Sequence, residues 1–355
     1  MPAELAFSAN DLAQMRFAVS PMWELGTSFK LLNSGAAHPV HQRWIDQVRP
    51  RAVAAGLDQG WLAELIRPAA YVPDFLNPAP AGPAPMLAAE LTGILATPAE
   101  RVRQDLDRLR QEQGPLGPRL RALHAQPAAH LLRVTEEIQT YWELALAPYW
   151  ARIRAVLDAE VFHRARQVAE HGAVHLLNDL HASVGWDDNV LRLSRRSNPL
   201  SRTTAGAGLV LIPSAFSGPV PLTRVTPPEP PQLAYPARGV GSLWEVRTVT
   251  GSAAIAAVLG RSKTLLLAEL DTPASTTDLA RRTGLSAPAV SQHLTALRDA
   301  GLTSAHRAGR SVLYARTAVA ESLLAAADAI PSGGKPVRPG PAWSCDQWWG
   351  EELEG

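Results

Sequence analysis

Residues 276–316 read TTDLARRTGLSAPAVSQHLTALRDAGLTSAHRAGRSVLYAR, and the spacing of their apolar side chains decides how the C-terminal part folds. Leu279 and Ala280, then Val290, Leu294 and Leu297, recur at helical spacing in two short segments. Gly284-Leu285-Ser286 separates them, a tight break that ends on a helix-capping serine. Helix, short turn and second helix make a helix-turn-helix, whose second helix enters the DNA major groove. Leu302–Arg307 and Ser311–Arg316 then form two β-rich runs around Ala308-Gly309-Arg310, the pattern of a wing with arginine at its tip.

Laid out at about 100° per residue, the second helix, from about Ala287 to Ala300, turns Val290, Leu294 and Leu297 to one side. Pro288, Gln292 and Thr295 fall opposite, with Ser291 on the flank, in the half of the helix that reaches base edges. Glutamine can bridge adenine, and hydroxyls accept several partners, each good base contact being worth about 1–3 kcal/mol. His293 lies toward the core flank, where it either packs within the domain or touches phosphate. Arg307 and Arg310 suit phosphate or minor-groove contact, the plain alternative being that they keep an exposed hairpin soluble. Arg281 and Arg282 on the first helix either touch the backbone or are simply solvated. The expected DNA-contacting set is Pro288, Ser291, Gln292, His293, Thr295, Arg307 and Arg310.

With Gly260-Arg261, Leu265–Leu270, Thr277–Ala280, Leu285-Ser286, Val290–Leu294, Leu297–Leu302 and Gly309–Tyr314 all in place, residues from about Leu243 to Ala326 resemble the winged-helix domain of the ArsR family of bacterial transcription regulators. The resemblance implies a dimer on a near-palindromic operator that represses or activates nearby genes. The long N-terminal part resembles that of larger actinobacterial regulators, which join an uncharacterised domain to this winged helix. Metal sensors of the family place cysteines in the first helix of the motif, or Asp and His ligands in a late helix. Here Thr277–Thr283 has no cysteine and Thr317–Ala329 no histidine. Thiolate sensing needs two or more soft ligands, and Cys345 is alone, so no metal site is expected there.

The remaining composition sets bounds. With 355 residues, two or three structural units are expected; 46% hydrophobic residues and 10 tryptophans suffice for a buried core. A net charge of +1 means that DNA binding must rest on a local arrangement of arginines. One cysteine excludes an internal disulfide framework, and no apolar run approaches the about 20 residues of a membrane helix. With Glu4, Asn10 and Asp11 in place of a basic-then-apolar leader, a cytoplasmic protein is expected.

The expected fold is mostly α: a helical N-terminal domain, 1–241, carrying a small β element from about 189, then a winged helix-turn-helix at 242–330 and a Pro/Gly-rich tail at 331–355. Residues 1 to about 185 read as predominantly helical. Thr97-Pro98-Ala99-Glu100 is a helix start with a threonine cap and a capping box, followed by the stripe Val102, Leu106, Leu109. Ala128–Leu146 and Tyr149–Leu180 continue the pattern around Pro148. Short β-type runs follow at Val190–Leu193, Gly208–Pro213, Leu222–Val225 and Gln232–Tyr235, and from Ser242 the pattern is helical again.

Three constellations invite a functional reading. His171 and His175, four apart beside Glu170 and Asp179, could hold zinc, although such histidines more often form a polar face or an interdomain contact. Arg192, Arg195, Arg196 and Arg202 either add DNA contacts or balance acidic neighbours. Phe17, Trp23, Phe29, Trp44, Trp61, Tyr71 and Phe75 could line an apolar pocket, but aromatics are first of all core builders. The expected partners are double-stranded DNA, a second copy and a small-molecule effector, with no membrane, no cofactor, no metal and no catalytic residues. Two rivals stand beside this non-enzyme regulator: an enzyme or metal-binding protein using His171 and His175 with an accessory winged helix, and a winged helix that binds proteins.

Overall fold

The computed structural model describes residues 3–35, 37–68, 71–194, 207–244, 252–308 and 311–329. The chain opens with β1 (Ala3–Ala6), α1 (Ala9–Ala13) and β2 (Arg16–Phe17). A run of helices follows: α2 (Pro21–Leu32), α3 (Gln42–Ala54), α4 (Trp61–Leu65), α5 (Leu87–Leu95), α6 (Ala99–Gln113), α7 (Pro118–Ala125) and α8 (Pro127–Tyr141). Proline 148 does not kink one helix but closes a π-helical turn, Trp142–Leu146, and a 3-10 turn, Ala147–Tyr149, ahead of α9 (Trp150–His171). Gly172, at φ 84°, breaks the chain again before α10 (Ala173–Asp179).

Of the strands that follow, β4 (Val190–Leu193), β5 (Val210–Ser214), β6 (Leu222–Arg224) and β7 (Gln232–Pro236) fall on the expected runs, whereas β3 (Val184–Asp187) begins before residue 189 and the sheets recruit the beginning of the chain. One antiparallel sheet runs β1-β4-β3, with Ala3 opposite Leu193 and Val184 opposite Leu193 on the other side. The other runs β2-β5-β7-β6; β2 and β7 are parallel to β5, and β6 is antiparallel to β7. The reading of residues 1 to about 185 as predominantly helical therefore misses the strands at Ala3–Ala6 and Arg16–Phe17, on either side of α1. Four residues around Leu5 and a two-residue strand are too short to show a period of two. The capping box at Thr97 also fails. Pro98 is the residue before α6 and provides no side-chain cap, while the Thr97 hydroxyl donates back to the Gly93 carbonyl at the end of α5.

The helices enclose a core that includes Met22, Phe29, Trp44, Leu62, Phe75, Leu106, Ile138 and Tyr141. Two smaller clusters line the sheets, one including Leu5, Trp186 and Leu211, the other Trp23 and Ile212. The aromatic set is thus distributed among three cores rather than gathered at a pocket. Trp23, Phe29, Trp44 and Phe75 are buried, while Phe17, Trp61 and Tyr71 pack at the margins.

Buried and half-buried carboxylates bind these elements across long stretches of sequence. Both Glu24 oxygens accept the Ala215 amide at 3.1 Å. Glu90 accepts the Ser20 hydroxyl at 2.6 Å and the Met22 amide at 2.8 Å. Asp105 accepts the Phe75 amide, and Glu137 the Trp61 and Leu62 amides, each at 2.8 Å. A Cβ on Gly60 would run into the Glu137 carboxylate, so a larger residue there would push that side chain away from its present position. Burial pushes the Glu24 carboxyl up to about 8 against the pull of Ser214 and the Ala215 amide, Glu90 to about 7 and Asp105 to about 6.

Further along, α11 (Ser252–Leu259), α12 (Arg261–Glu269), α13 (Thr276–Thr283), α14 (Ala287–Asp299), β8 (Thr303–Ala308), β9 (Ser311–Arg316) and α15 (Ala318–Ala329) surround their own core of Leu266, Leu267, Leu279, Val290, Leu294, Leu297 and Leu302. This winged helix rests on the helical body. β8 lies against residues 142–149, and α15 against α9. Burial lowers the His306 pKa on β8, with Glu143 on the π-helical turn pulling the other way. At the seam Arg152 donates to Asp271 at 2.7 Å and to Glu321 at 2.9 Å. Arg316 donates to the Leu267 and Ala268 carbonyls at 2.6 and 2.7 Å, capping the end of α12, with Glu321 3.6 Å away. Arg43 reaches the Trp244 carbonyl at 2.9 Å and Asp271 at 3.4 Å. Trp244 itself sits in the first core, its indole donating to Nδ1 of buried His41.

Glu24 carries a test of these buried carboxylates. Its raised pKa contributes stability that is fully present below about 4.5 and is lost as pH rises through about 8. Thermal unfolding measured from pH 4.5 to 8.5 should show a falling melting temperature, and Glu24→Gln should flatten that fall.

Candidate nucleic-acid interface

The two helices of the motif are set by their ends. Ser275 caps α13 by accepting the Asp278 amide at 3.1 Å, and its hydroxyl donates to the Asp278 carboxylate at 2.7 Å. Gly284 ends α13 at φ 72°, and Thr283 closes the turn by accepting the Leu285 amide. Ser286 caps α14 through the Ala289 amide, and Pro288 occupies its first turn, where a missing N–H costs nothing. α14 stops in a Schellman arrangement: Gly301, at φ 71°, donates to Arg298, and Leu302 donates to Leu297 at 2.8 Å. That bond turns the chain directly into β8.

Val290, Leu294 and Leu297 face the core as the wheel requires, at 0, 0 and 1% exposure. Pro288, Ser291, Gln292 and Thr295 are exposed and His293 is half-buried on the flank. Ser291, Gln292 and His293 have no side-chain partner among the described residues. The Thr295 hydroxyl instead donates to the Ser291 carbonyl at 3.0 Å, which leaves its lone pairs for an outside donor. The wing is a regular antiparallel ribbon from Thr303↔Arg316 to Ala308↔Ser311, and Gly309, the expected turn residue, lies outside the described residues. Arg307 is exposed near that turn, and Arg310 lies outside the described residues. A bridge between Ala274 and Tyr314 ties the segment before α13 to the wing, fixing helix and ribbon in one frame. On α13, Arg281 pairs with Asp278 at 3.0 Å, whereas Arg282 is exposed.

The other candidate clusters do not gather into sites. His171 and His175 do come together, with rings 4.9 Å apart in a T-shape, even though Gly172 breaks the helix between them. Their neighbouring carboxylates pair with arginines, Asp179 with Arg164 at 2.8 Å and Glu170 with Arg166 at 2.7 Å, Glu170 also standing 4.0 Å from His171. Among the described residues no group of three or more His, Cys, Asp or Glu side chains is arranged to hold a metal. Arg192 pairs with Asp187 and Glu4; Arg195, Arg196 and Arg202 lie outside the described residues, as does Cys345. No helix among the described residues is long and apolar enough to cross a membrane. Sequence reasoning passed over the Ser275 cap, visible as Ser-x-x-Asp before an apolar residue, and the seam residues Asp271, Arg316 and Glu321.

Two capped helices, an exposed polar row on the second, and a ribbon held beside it define a winged helix-turn-helix. Residues 264–304 match the family described as bacterial regulatory protein, arsR family. The chain therefore carries an arsR-family helix-turn-helix, the DNA-binding unit of a transcriptional regulator, with a long additional region ahead of it. No curated protein and no solved structure matches the chain.

The turn between the helices predicts a contrast between two glycines. Gly284→Val should cost about 1–2 kcal/mol from the left-handed backbone alone, since a Cβ there meets nothing within 4 Å. Gly26→Ala, inside α2 and equally unobstructed, should instead stabilise by about 0.5–1 kcal/mol; chemical denaturation of both variants checks the pair.

Proposed function

We propose that the protein is a homodimeric, sequence-specific DNA-binding regulator acting on a palindromic operator, and that it does not sense metals through thiolates. The observation that carries this is the row Ser291, Gln292 and Thr295, exposed within the first nine residues of a helix whose opposite face is fully buried. In a dimer two such helices enter successive major grooves about 34–36 Å apart. Gln292 reads base edges, Ser291, His293 and Thr295 supplement it, and Arg307 and Arg310 grip the backbone or the minor groove. Pairing with a second copy is supported by apolar side chains left exposed on adjacent helices, Val258 on α11 and Leu323 on α15.

Residues 242–330 are the DNA-binding part, and 1–241 a body that supports dimerisation and effector response, with 331–355 as a tail. We assign the body a binding role rather than a catalytic one, because the carboxylates beside its paired histidines form ion pairs with arginines. The regulator works inside the cell, where its DNA is, and repression of a neighbouring gene is the simplest outcome of operator occupancy.

Operator sequences selected from random DNA should be palindromic. In gel-shift titrations Gln292→Ala should weaken selected DNA by about 1–3 kcal/mol and random DNA much less. Arg307→Ala should weaken both and lower the slope of log affinity against log salt by about 1. Unchanged affinity in both variants would remove these residues from the interface.

A further inference from the structure

The seam between body and winged helix holds more positive than negative charge. Four guanidiniums converge there: Arg152 and Arg316 on the two carboxylates Asp271 and Glu321, Arg43 on Asp271, and Arg51 beside Tyr149. Nη1 of Arg51 is buried and has no hydrogen-bond partner. Asp271 is the hinge of this arrangement. It belongs to the turn after α12, yet it is inserted between Arg43 and Arg152 of the body, in a cleft walled by Trp44, Tyr149 and Trp244 with Gln47 at its edge. As it stands, the cleft has space for about one water molecule. Withdrawal of Asp271 is disfavoured because Arg152, 16% exposed, would keep Glu321 as its single carboxylate partner there and Arg43 would lose its own. Another carboxylate can replace it, and the three aromatic walls suit a planar apolar body attached to that group.

The geometry points to this cleft as a binding site for a small aromatic carboxylate that takes the place of Asp271 between Arg43 and Arg152 and so loosens the winged helix from the body. The ligand's carboxylate receives the hydrogen bonds that Asp271 now accepts, and its ring lies among Trp44, Tyr149 and Trp244. With Asp271 displaced, the seam keeps the Arg152–Glu321 pair and the packing of β8 on residues 142–149 and of α15 on α9. The wing and the recognition helix then gain freedom relative to the body. A ligand shifts that equilibrium only by its different affinity for the docked and released arrangements, and competition with Asp271 supplies the difference. The effect on operator affinity rests on the DNA-binding role proposed above; binding and release do not.

Benzoate is the probe, with benzyl alcohol as the uncharged control and inorganic phosphate as the non-aromatic one. Calorimetric titration of the full chain without DNA should detect benzoate and neither control. Asp271→Asn removes the competing charge with little change of shape and should bind benzoate on the order of tenfold more tightly. Arg43→Ala, on the more exposed arginine, should abolish binding while leaving the melting temperature nearly unchanged. Benzoate should also speed hydrogen exchange in β8 and β9. Absence of benzoate binding to both wild type and Asp271→Asn, or equal binding by wild type and Asp271→Asn, overturns the proposal. Phosphate binding as tightly as benzoate overturns the aromatic part. If benzoate binds as described and selected operator DNA is still bound with unchanged affinity, the cleft stands and its link to DNA binding falls.

Discussion

The arrangement of this molecule depends on one ion-pair cluster, in which Arg152 holds Asp271 and Glu321 while Arg316 ties the end of α12 to the same two acids. None of the four side chains is more than 16% exposed. In that setting water screens little, and losing one partner typically costs about 3–5 kcal/mol because its counterpart is left buried and unpaired. Such a contact acts as a specifier more than a glue. It admits one register of the wing on residues 142–149 and rejects its neighbours, which a greasy seam would tolerate.

The same logic recurs inside the body. Glu24, Glu90, Asp105 and Glu137 each take backbone amides from a segment distant in sequence. Each fixes the start of a helix or the end of a strand that hydrophobic packing alone would leave free to slide. Burying these acids is costly, as the upward displacement of Glu24, Glu90 and Asp105 shows. The amide and hydroxyl donors offset part of that cost and specify a single geometry.

The winged helix was legible because every signal in it is local. The caps at Ser286 and Gly284, the stripe Val290, Leu294, Leu297 and the ribbon of Thr303–Ala308 with Ser311–Arg316 all act within a few residues of one another. The strands from Val190 to Tyr235 were legible for the same reason. What escaped depends on partners far away in the chain. Leu5 is a strand residue only because Leu191 lies opposite it, and Thr97 fails as a cap because the Gly93 carbonyl competes for its hydroxyl. The candidate DNA surface was readable as a helix face, but Asp271, Arg316 and Glu321 form a site only once two folded parts meet.

The opening strands have a consequence for synthesis. Residues 3–6 wait for residues 190–193, and residues 16–17 wait for residues 210–211, before either sheet can form. A ribosome must therefore release most of the body before its first residues find their places, whereas the winged helix, made of near neighbours, can assemble soon after it emerges. Until then Leu5 and Phe17 remain apolar surface open to aggregation or to chaperones. Deleting the first twenty residues should leave β4 and β5 as unprotected edges rather than trim a dispensable leader.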